Sequence, residues 1–382
     1  MRALFLSRFD SFTKAAISVS DIFLAEGIIC DWVIIESKNS KGINYHQYGI
    51  DFRTRKMTIN ALINDKFILK YDYIVIYDTG GMIRKFIYGF VNLVQKNWAG
   101  HRPIIISGYA GVSFSETQTG FSNRSLCDYV FLSNKYEYEL YRMFCKRNNL
   151  QDNGLLWGWN FFSVRNTKKI SGKQILFADQ NIIPFSKKDR LYLANAIILI
   201  ARSNPSIEVI VKSRTAKGEK NLFKPRWSMA ELIILLCKKK LPKNLKISYG
   251  NIEDYLANTD LLITMSSTAA IQALMSGIRV AIISDFGKID GFGTTYFDGS
   301  GCLCTIKQII DGYSPKINEK WLKDFVISDT SKKECLKVIL DKKFSKIPVN
   351  FPGVFSLEYL DFIYKSQRKF NFFLKIKHFF KG

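Results

Sequence analysis

Short runs of apolar, often β-branched residues alternate with longer stretches whose apolar positions recur every three or four residues, along most of the chain. The short runs read as strands covered on both faces, and the longer stretches as helices with one buried side. The pattern predicts strands over 3–6, 31–35, 73–76, 103–107 and 129–132, with helices over 11–24, 82–94 and 135–145. After an Asn- and Gly-bearing stretch with two Trp it restarts. Strands are then expected over 174–178, 208–212, 246–248, 261–264 and 279–284, and helices over 188–202, 228–239, 252–257 and 269–276. Strand and helix in alternation predict α/β architecture, with parallel, doubly wound sheets. The expected organisation is a Rossmann-like domain over 1–165 and a second over 170–345. A polar linker, SVRNTKKISGK, joins them, and 346–382 forms a C-terminal helical tail. A ligand is expected in the cleft between the domains, at the carboxyl ends of both sheets.

The segment LLITMSSTAAIQALMSGIRVAIISDFG, residues 261–287, reads as one βαβ unit. Ser266, Ser267 and Thr268 fall between strand and helix, and Gly277 stands where a helix C-cap glycine belongs. A helix amino end presents free N–H groups and partial positive charge, which suits a phosphate or carboxylate. One hydroxyl would serve as a plain helix cap. Three in succession favour the anion.

The 382 residues carry 56 Lys and Arg against 33 Asp and Glu, a net charge of +23, so an anionic partner is expected. No RNA-recognition signature or Cys/His finger accompanies the charge, and nucleic acid is not expected. No apolar run reaches the roughly 20 residues of a membrane-spanning helix. The opening MRALFLSRFD is too short and polar for a secretory signal. Seven scattered cysteines and three histidines point to reduced thiols in a cytosolic chain and to no metal.

Strand-end positions carry the candidate chemistry. Asp179, Gln180 and Asn181 follow one strand of the second half, and Lys212 and Arg214 leave another. Lys212, Arg214 and Lys217, beside the Ser-Ser-Thr hydroxyls and helix N–H groups, make a charge-compensating set for a diphosphate, or for a phosphate plus a carboxylate. In the first half, Asp10 follows the first strand, where it either caps the next helix or presents a general base. Asp78 precedes Gly80-Gly81 after another strand, and Glu116 lies in the loop SGYAGVSFSETQTGFSNR. No GxGxxG follows the first strand and there is no Walker lysine, which argues against a dinucleotide oxidoreductase and a P-loop enzyme.

Several of these residues recur together in order. They are Asp10-Ser11 with Lys14; Gly108, Gly111, Arg124 and Asp128; and Gln180 with Pro184. Lys212-Ser213-Arg214 with Gly218-Glu219, Ser266 to Leu274 with Asp285-Phe286-Gly287, and Phe297-Asp298-Gly299-Ser300-Gly301 complete the series. This order resembles a family of bacterial glycosyltransferases of the GT-B fold, of the surface-polysaccharide type, across residues 1–305. More distantly, the Ser-Ser-Thr loop is similar to the phosphate loop of bacterial sialyltransferases and capsule Kdo transferases, which use CMP-activated acidic sugars. Where those carry a His-Pro pair, this chain has Lys212-Ser213-Arg214. The Glu-x7-Glu motif of retaining hexose transferases is not evident.

The resemblance implies inverting, metal-independent transfer without a cofactor, from a nucleotide sugar to a surface-glycan or lipid-linked acceptor. Gln180, Lys212, Arg214, Ser266, Ser267 and Thr268 would hold the donor. Asp10 is the first choice of base, followed by Asp78 and Glu116. A GT-B sugar epimerase, a glycerol-phosphate polymerase and a non-catalytic glycan-assembly scaffold are the alternatives. The tail YKSQRKFNFFLKIKHFFKG interleaves lysines with phenylalanines at helical spacing, which suits either an anionic membrane surface or a helix returning over the first domain. The expected location is cytoplasmic, peripheral at the inner face of the cell membrane.

Overall fold

A computed structural model describes residues 1–36, 54–112, 118–160, 174–213, 227–238, 240–288, 292–326, 332–340 and 347–351. The first part runs β1 (Arg2–Ser7), α1 (Asp10–Ala25), β2 (Ile29–Glu36), β3 (Arg55–Thr58), α2 (Ile59–Leu62) and β4 (Tyr73–Tyr77). It continues with α3 (Gly80–Lys96), β5 (Ile104–Gly108), α4 (Gln118–Arg124), β6 (Tyr129–Leu132), α5 (Lys135–Arg147) and β7 (Gly154–Leu156). The second part runs β8 (Gln174–Ala178), α6 (Lys187–Ser203), β9 (Glu208–Lys212), α7 (Met229–Leu236), β10 (Leu245–Ser248), α8 (Glu253–Leu256) and β11 (Leu261–Thr264). Then follow α9 (Ala269–Met275), β12 (Arg279–Ile283), β13 (Leu303–Cys304), α10 (Ile306–Ile310), α11 (Glu319–Phe325) and α12 (Lys332–Leu340).

The strands form two sheets, ordered β3-β2-β1-β4-β5-β6-β7 and β10-β9-β8-β11-β12-β13. Every pairing is parallel. The central strands are buried on both faces, which is why Tyr73–Tyr77 and Gln174–Ala178 lack polar alternation. Helices cover both sides of each sheet, as a doubly wound α/β fold requires. In both sheets the strand order reverses once, between β1 and β4 and between β8 and β11. Such a switch point leaves a crevice outside the carboxyl ends of the strands.

Three short edge strands escape the sequence pattern, among them the two-residue β13. β3, RKMT, is an edge strand with exposed charged residues, and β7 is a three-residue edge strand. Edges need no two-faced apolar run, and charges there deter further pairing. Helix α12 falls within 170–345 yet packs on the first part, where Cys335, Leu336 and Ile339 join Ala3, Phe5 and Val19. Ile347 and Phe351 likewise pack against the opposite face of that sheet, and Asn350 bonds to Gln151 and Ser125. The chain therefore returns to the first body by residue 332. The linker segment 163–173 and residues 352–382, including the basic aromatic tail, lie outside the described residues.

One buried ion pair clips the segments that enter β5 and β6. Arg102 donates through Nη1 to Asp128 Oδ2 at 2.6 Å and through Nη2 to Oδ1 at 2.7 Å, while Ile105 N donates to Oδ2 at 2.8 Å. Removing one partner strands a buried charge, so Asp128→Ala is expected to lose about 3–5 kcal/mol. Arg102→Met with Asp128→Leu should cost less than the single change. Urea midpoints check this, and a harmless Asp128→Ala contradicts it.

Candidate functional site

The residues after β1 and β4 meet at the first switch point. Arg8 is 8% exposed, and its Nη2 donates to Asp78 Oδ1 at 2.6 Å and to Thr79 Oγ1 at 3.4 Å. The guanidinium also lies over the Phe9 ring, 4.6 Å from its centroid. Asp78 has no exposed surface, and its Oδ1 accepts from Thr79 N as well. Burial raises the Asp78 carboxyl above the usual range against the pull of Arg8. Asp78 is therefore the buried counter-ion of Arg8 and cannot meet an acceptor as a base, contrary to the sequence expectation. Asp10 opens α1, with Phe9 as N-cap residue at φ 66° and no side-chain cap bond. The Asp10 side chain and all of Glu116 lie outside the described residues.

Arg124 joins the loops after β4 and β5. It donates to the Gly108 carbonyl at 2.8 Å, to the Asp78 carbonyl at 3.2 Å, and stacks 4.1 Å from the Tyr109 ring centroid. Of two residues of the recurring series, Arg124 thus braces the carboxyl ends of β4 and β5, while Asp128 serves the amino ends of β5 and β6. Gly111 has the opposite task. A Cβ there would stand 2.9 Å from Thr268 Oγ1, so the first body reaches the second at this point.

The second switch point is held by Gln180. Its Oε1 accepts from Ser266 N at 2.9 Å and its Nε2 donates to Ser266 Oγ at 3.3 Å. Ser266 is buried and donates its hydroxyl to the Phe292 carbonyl. Its one hydroxyl proton is spent inside the protein, so Ser266 shapes the loop rather than donating to an anion, and Gln180 braces it. Ser267 Oγ accepts from Ala269 N at 3.2 Å, which is the plain capping use of one hydroxyl. Thr268 is half-buried and makes no cap bond, leaving its hydroxyl on the Gly111 side. Half-buried Lys212 ends β9, and its charge acts on Asp179; Arg214 lies outside the described residues.

The sequence pattern did not single out Arg190, which organises this edge. It is 1% exposed and donates to the carbonyls of Pro184 at 3.1 Å, Trp227 at 2.9 Å and Ile183 at 3.2 Å, and also to that of Gln180. Its signature was present. Arg190 stands three and seven residues before Leu193 and Ile197, inside the buried stripe of α6. Asp179 lies 3.8 Å away and is itself buried. The bodies also meet where Lys14 Nζ donates to Asn251 Oδ1 at 3.0 Å and approaches Glu253 Oε2 at 3.7 Å. Glu253 in turn accepts from Gln272 of α9 at 3.1 Å.

Residues 39–341 match the family model described as "Putative glycosyltransferase (DUF6716)". The chain belongs to this family. Its fold is GT-B, as the solved structures similar to it show. The UDP-GlcNAc 2-epimerase of Neisseria meningitidis bound to UDP-GlcNAc aligns with TM-score 0.59 at 11% identity, over 90% of this chain and 100% of that one. S. aureus MnaA with UDP aligns with TM-score 0.56 at 12% identity, over 90% and 100%. A variant of S. aureus TarM in complex with fondaparinux, α-GlcNAc-glycerol and UDP gives 0.53 at 11% identity, over 89% and 99%. No curated protein matches by sequence. Among the described residues of this family member, no three His, Cys, Asp or Glu side chains are placed to hold a metal, and no helix is long and apolar enough to cross a membrane.

Desolvation gives this family member a pH dependence. Burial pushes the Asp179 carboxyl from 3.8 up to about 6, against the opposing charge of Arg190. The folded chain then binds that proton more tightly than the unfolded chain, so stability falls as pH rises from about 4 to about 6. Asp179→Asn should remove this slope. Melting temperatures of the two proteins across that range test it, and parallel curves contradict it.

Proposed function

We propose that the chain is an inverting, metal-independent glycosyltransferase that moves a sugar from a nucleotide donor on the second sheet to a surface-glycan or lipid-linked acceptor on the first. The observation that carries this reading is the approach of Thr268 to Gly111, which brings the two strand-end crevices together in a chain of a glycosyltransferase family. Lys212, Arg214, Ser267 and Thr268 hold the donor phosphates, on the loop that Gln180 and Ser266 brace. Fixed cations and N–H groups stabilise the departing phosphate in place of a metal. Asp10 takes the acceptor proton as the sugar–phosphate bond breaks, with Glu116 the second choice.

UDP is the first nucleotide to test, because the similar solved structures hold UDP or UDP-GlcNAc. CMP is the second, with a CMP-activated ulosonic acid as the donor that the Ser-Ser-Thr resemblance suggests. Several of the similar solved structures are UDP-GlcNAc 2-epimerases, which favours one competing reading, a nucleotide-sugar epimerase. An epimerase converts its sugar nucleotide with no acceptor present, whereas a transferase needs one. The membrane address of an enzyme with a lipid-linked acceptor is supported by the lysine- and phenylalanine-rich sequence of 364–382.

Thermal-shift titration with UDP, CMP, GDP and ADP should reveal one preferred nucleotide. Lys212→Ala with Ser267→Ala should weaken it by roughly ten- to a hundredfold, the worth of a charge-assisted hydrogen bond. Unchanged affinity in the folded double variant removes the phosphate-site assignment.

Asp10→Asn should keep nucleotide affinity and lose transfer by on the order of 10²–10⁴-fold. Wild-type turnover would pass the role of base to Glu116.

A further inference from the structure

The sequence SMAELIILLCKKKLP, residues 228–242, joins a helix that is apolar nearly all round to a lysine triplet. On α7, Met229, Leu232 and Ile233 are buried in the core of the second sheet. Ile234, Leu235 and Leu236 point outward and are 39%, 68% and 41% exposed. The outer face of an ordinary surface helix is polar. Here Glu231, Ile234, Leu235 and Lys238 line a shallow open groove along that face, at spacings of three and four. Glu231 is the one acid among them and sits in the first turn of the helix, at the end away from the lysines. Lys238 and Lys240 are exposed just past the aliphatic turn, and Lys243 is exposed beyond them.

The charge of the chain selects among possible occupants. A second copy would bring another net charge of +23 against the same lysines. Three aliphatic side chains also fall well short of the roughly 800 Å² per partner of a stable protein interface. An anionic bilayer meets both needs, because aliphatic groups enter the acyl boundary while lysines meet headgroup charge. We propose that the outer face of α7 seats the protein on an anionic lipid bilayer, with Ile234, Leu235 and Leu236 inserted and Lys238 and Lys240 at the headgroups. This rests on the membrane address proposed above and names the surface that serves it. Because α7 follows β9, it starts at the crevice edge of the sheet and ends at the opposite edge. Seated on its outer face, it leaves the crevice open to one side.

Sedimentation of the full-length protein with phosphatidylcholine vesicles, with and without phosphatidylglycerol, tests the proposal. The wild type should bind only the anionic vesicles. Ile234→Asp with Leu235→Asp, and separately Lys238→Glu with Lys240→Glu, should each weaken that binding roughly tenfold or more. Both variants alter exposed positions and should keep the wild-type melting temperature and nucleotide-induced shift. The milder Leu235→Ser serves if the double aspartate variant misfolds. Wild-type vesicle affinity in either folded double variant overturns the proposal. If deletion of 368–382 alone abolishes binding, the membrane address survives and the role of α7 does not. A dimer that dissociates on Leu235→Ser without loss of vesicle binding makes a second copy the occupant, which also overturns it. The nucleotide shift, read in parallel, registers failure of the glycosyltransferase reading separately.

Discussion

Reversal of strand order in a parallel sheet is the constraint on which this molecule depends. Between β1 and β4, and again between β8 and β11, neighbouring strands send their connections to opposite faces. No crossing helix covers the carboxyl ends at those two places, so each sheet keeps an open notch. The polar residues of both halves collect there because strand ends are where a buried apolar run must give way to a turn. Arg8, Asp78, Asp179 and Gln180 all stand within two residues of a central strand end. The notch precedes any particular chemistry.

Buried arginines make the notches rigid. Arg124 spans the loops after β4 and β5, and Arg190 gathers carbonyls of the loop after β8. A guanidinium has five donors in a fixed plane, so one side chain can satisfy several carbonyls that would otherwise be buried without partners. Burying such charge is costly, and Asp78 beside Arg8 and Asp179 beside Arg190 offset part of it, although their own burial raises both carboxyls above the usual range. These groups set where the loops stand. Thr268 and Lys212 stand further out, half-buried at the rim of the second notch.

The two notches face one another because the bodies touch at several points around them. Lys14 on α1 meets Asn251 and Glu253, and Glu253 is tied to Gln272 on α9. Asn134 donates to Tyr296 across the same boundary at 3.2 Å, and Tyr136 stacks on Phe325. Helix α1 carries Asp10, and α9 begins after Thr268. A shift in either helix therefore changes the spacing between the proposed base and the proposed phosphate site.

Periodicity alone located both doubly wound halves, because strands such as Tyr129–Leu132, Gln174–Ala178, Glu208–Lys212 and Leu261–Thr264 are buried on both faces and carry unbroken apolar runs. It also brought the strand-end loops to notice, since strand ends are legible wherever strands are. Edge strands β3, β7 and β13 were not legible, because short, partly exposed edges carry no such run. Residue roles were the harder part. A serine reads the same in sequence whether its proton goes to a ligand or, as in Ser266, to the Phe292 carbonyl. An aspartate after a strand reads the same whether it is open or, like Asp78, sealed against Arg8. Partner choice among polar groups depends on side chains as far apart as Arg8 and Asp78, and only the folded chain brings those together. What the sequence by itself determined was the order of strands and helices, which is local and set by burial. Tertiary structure decided which polar groups were used up in holding the crevice.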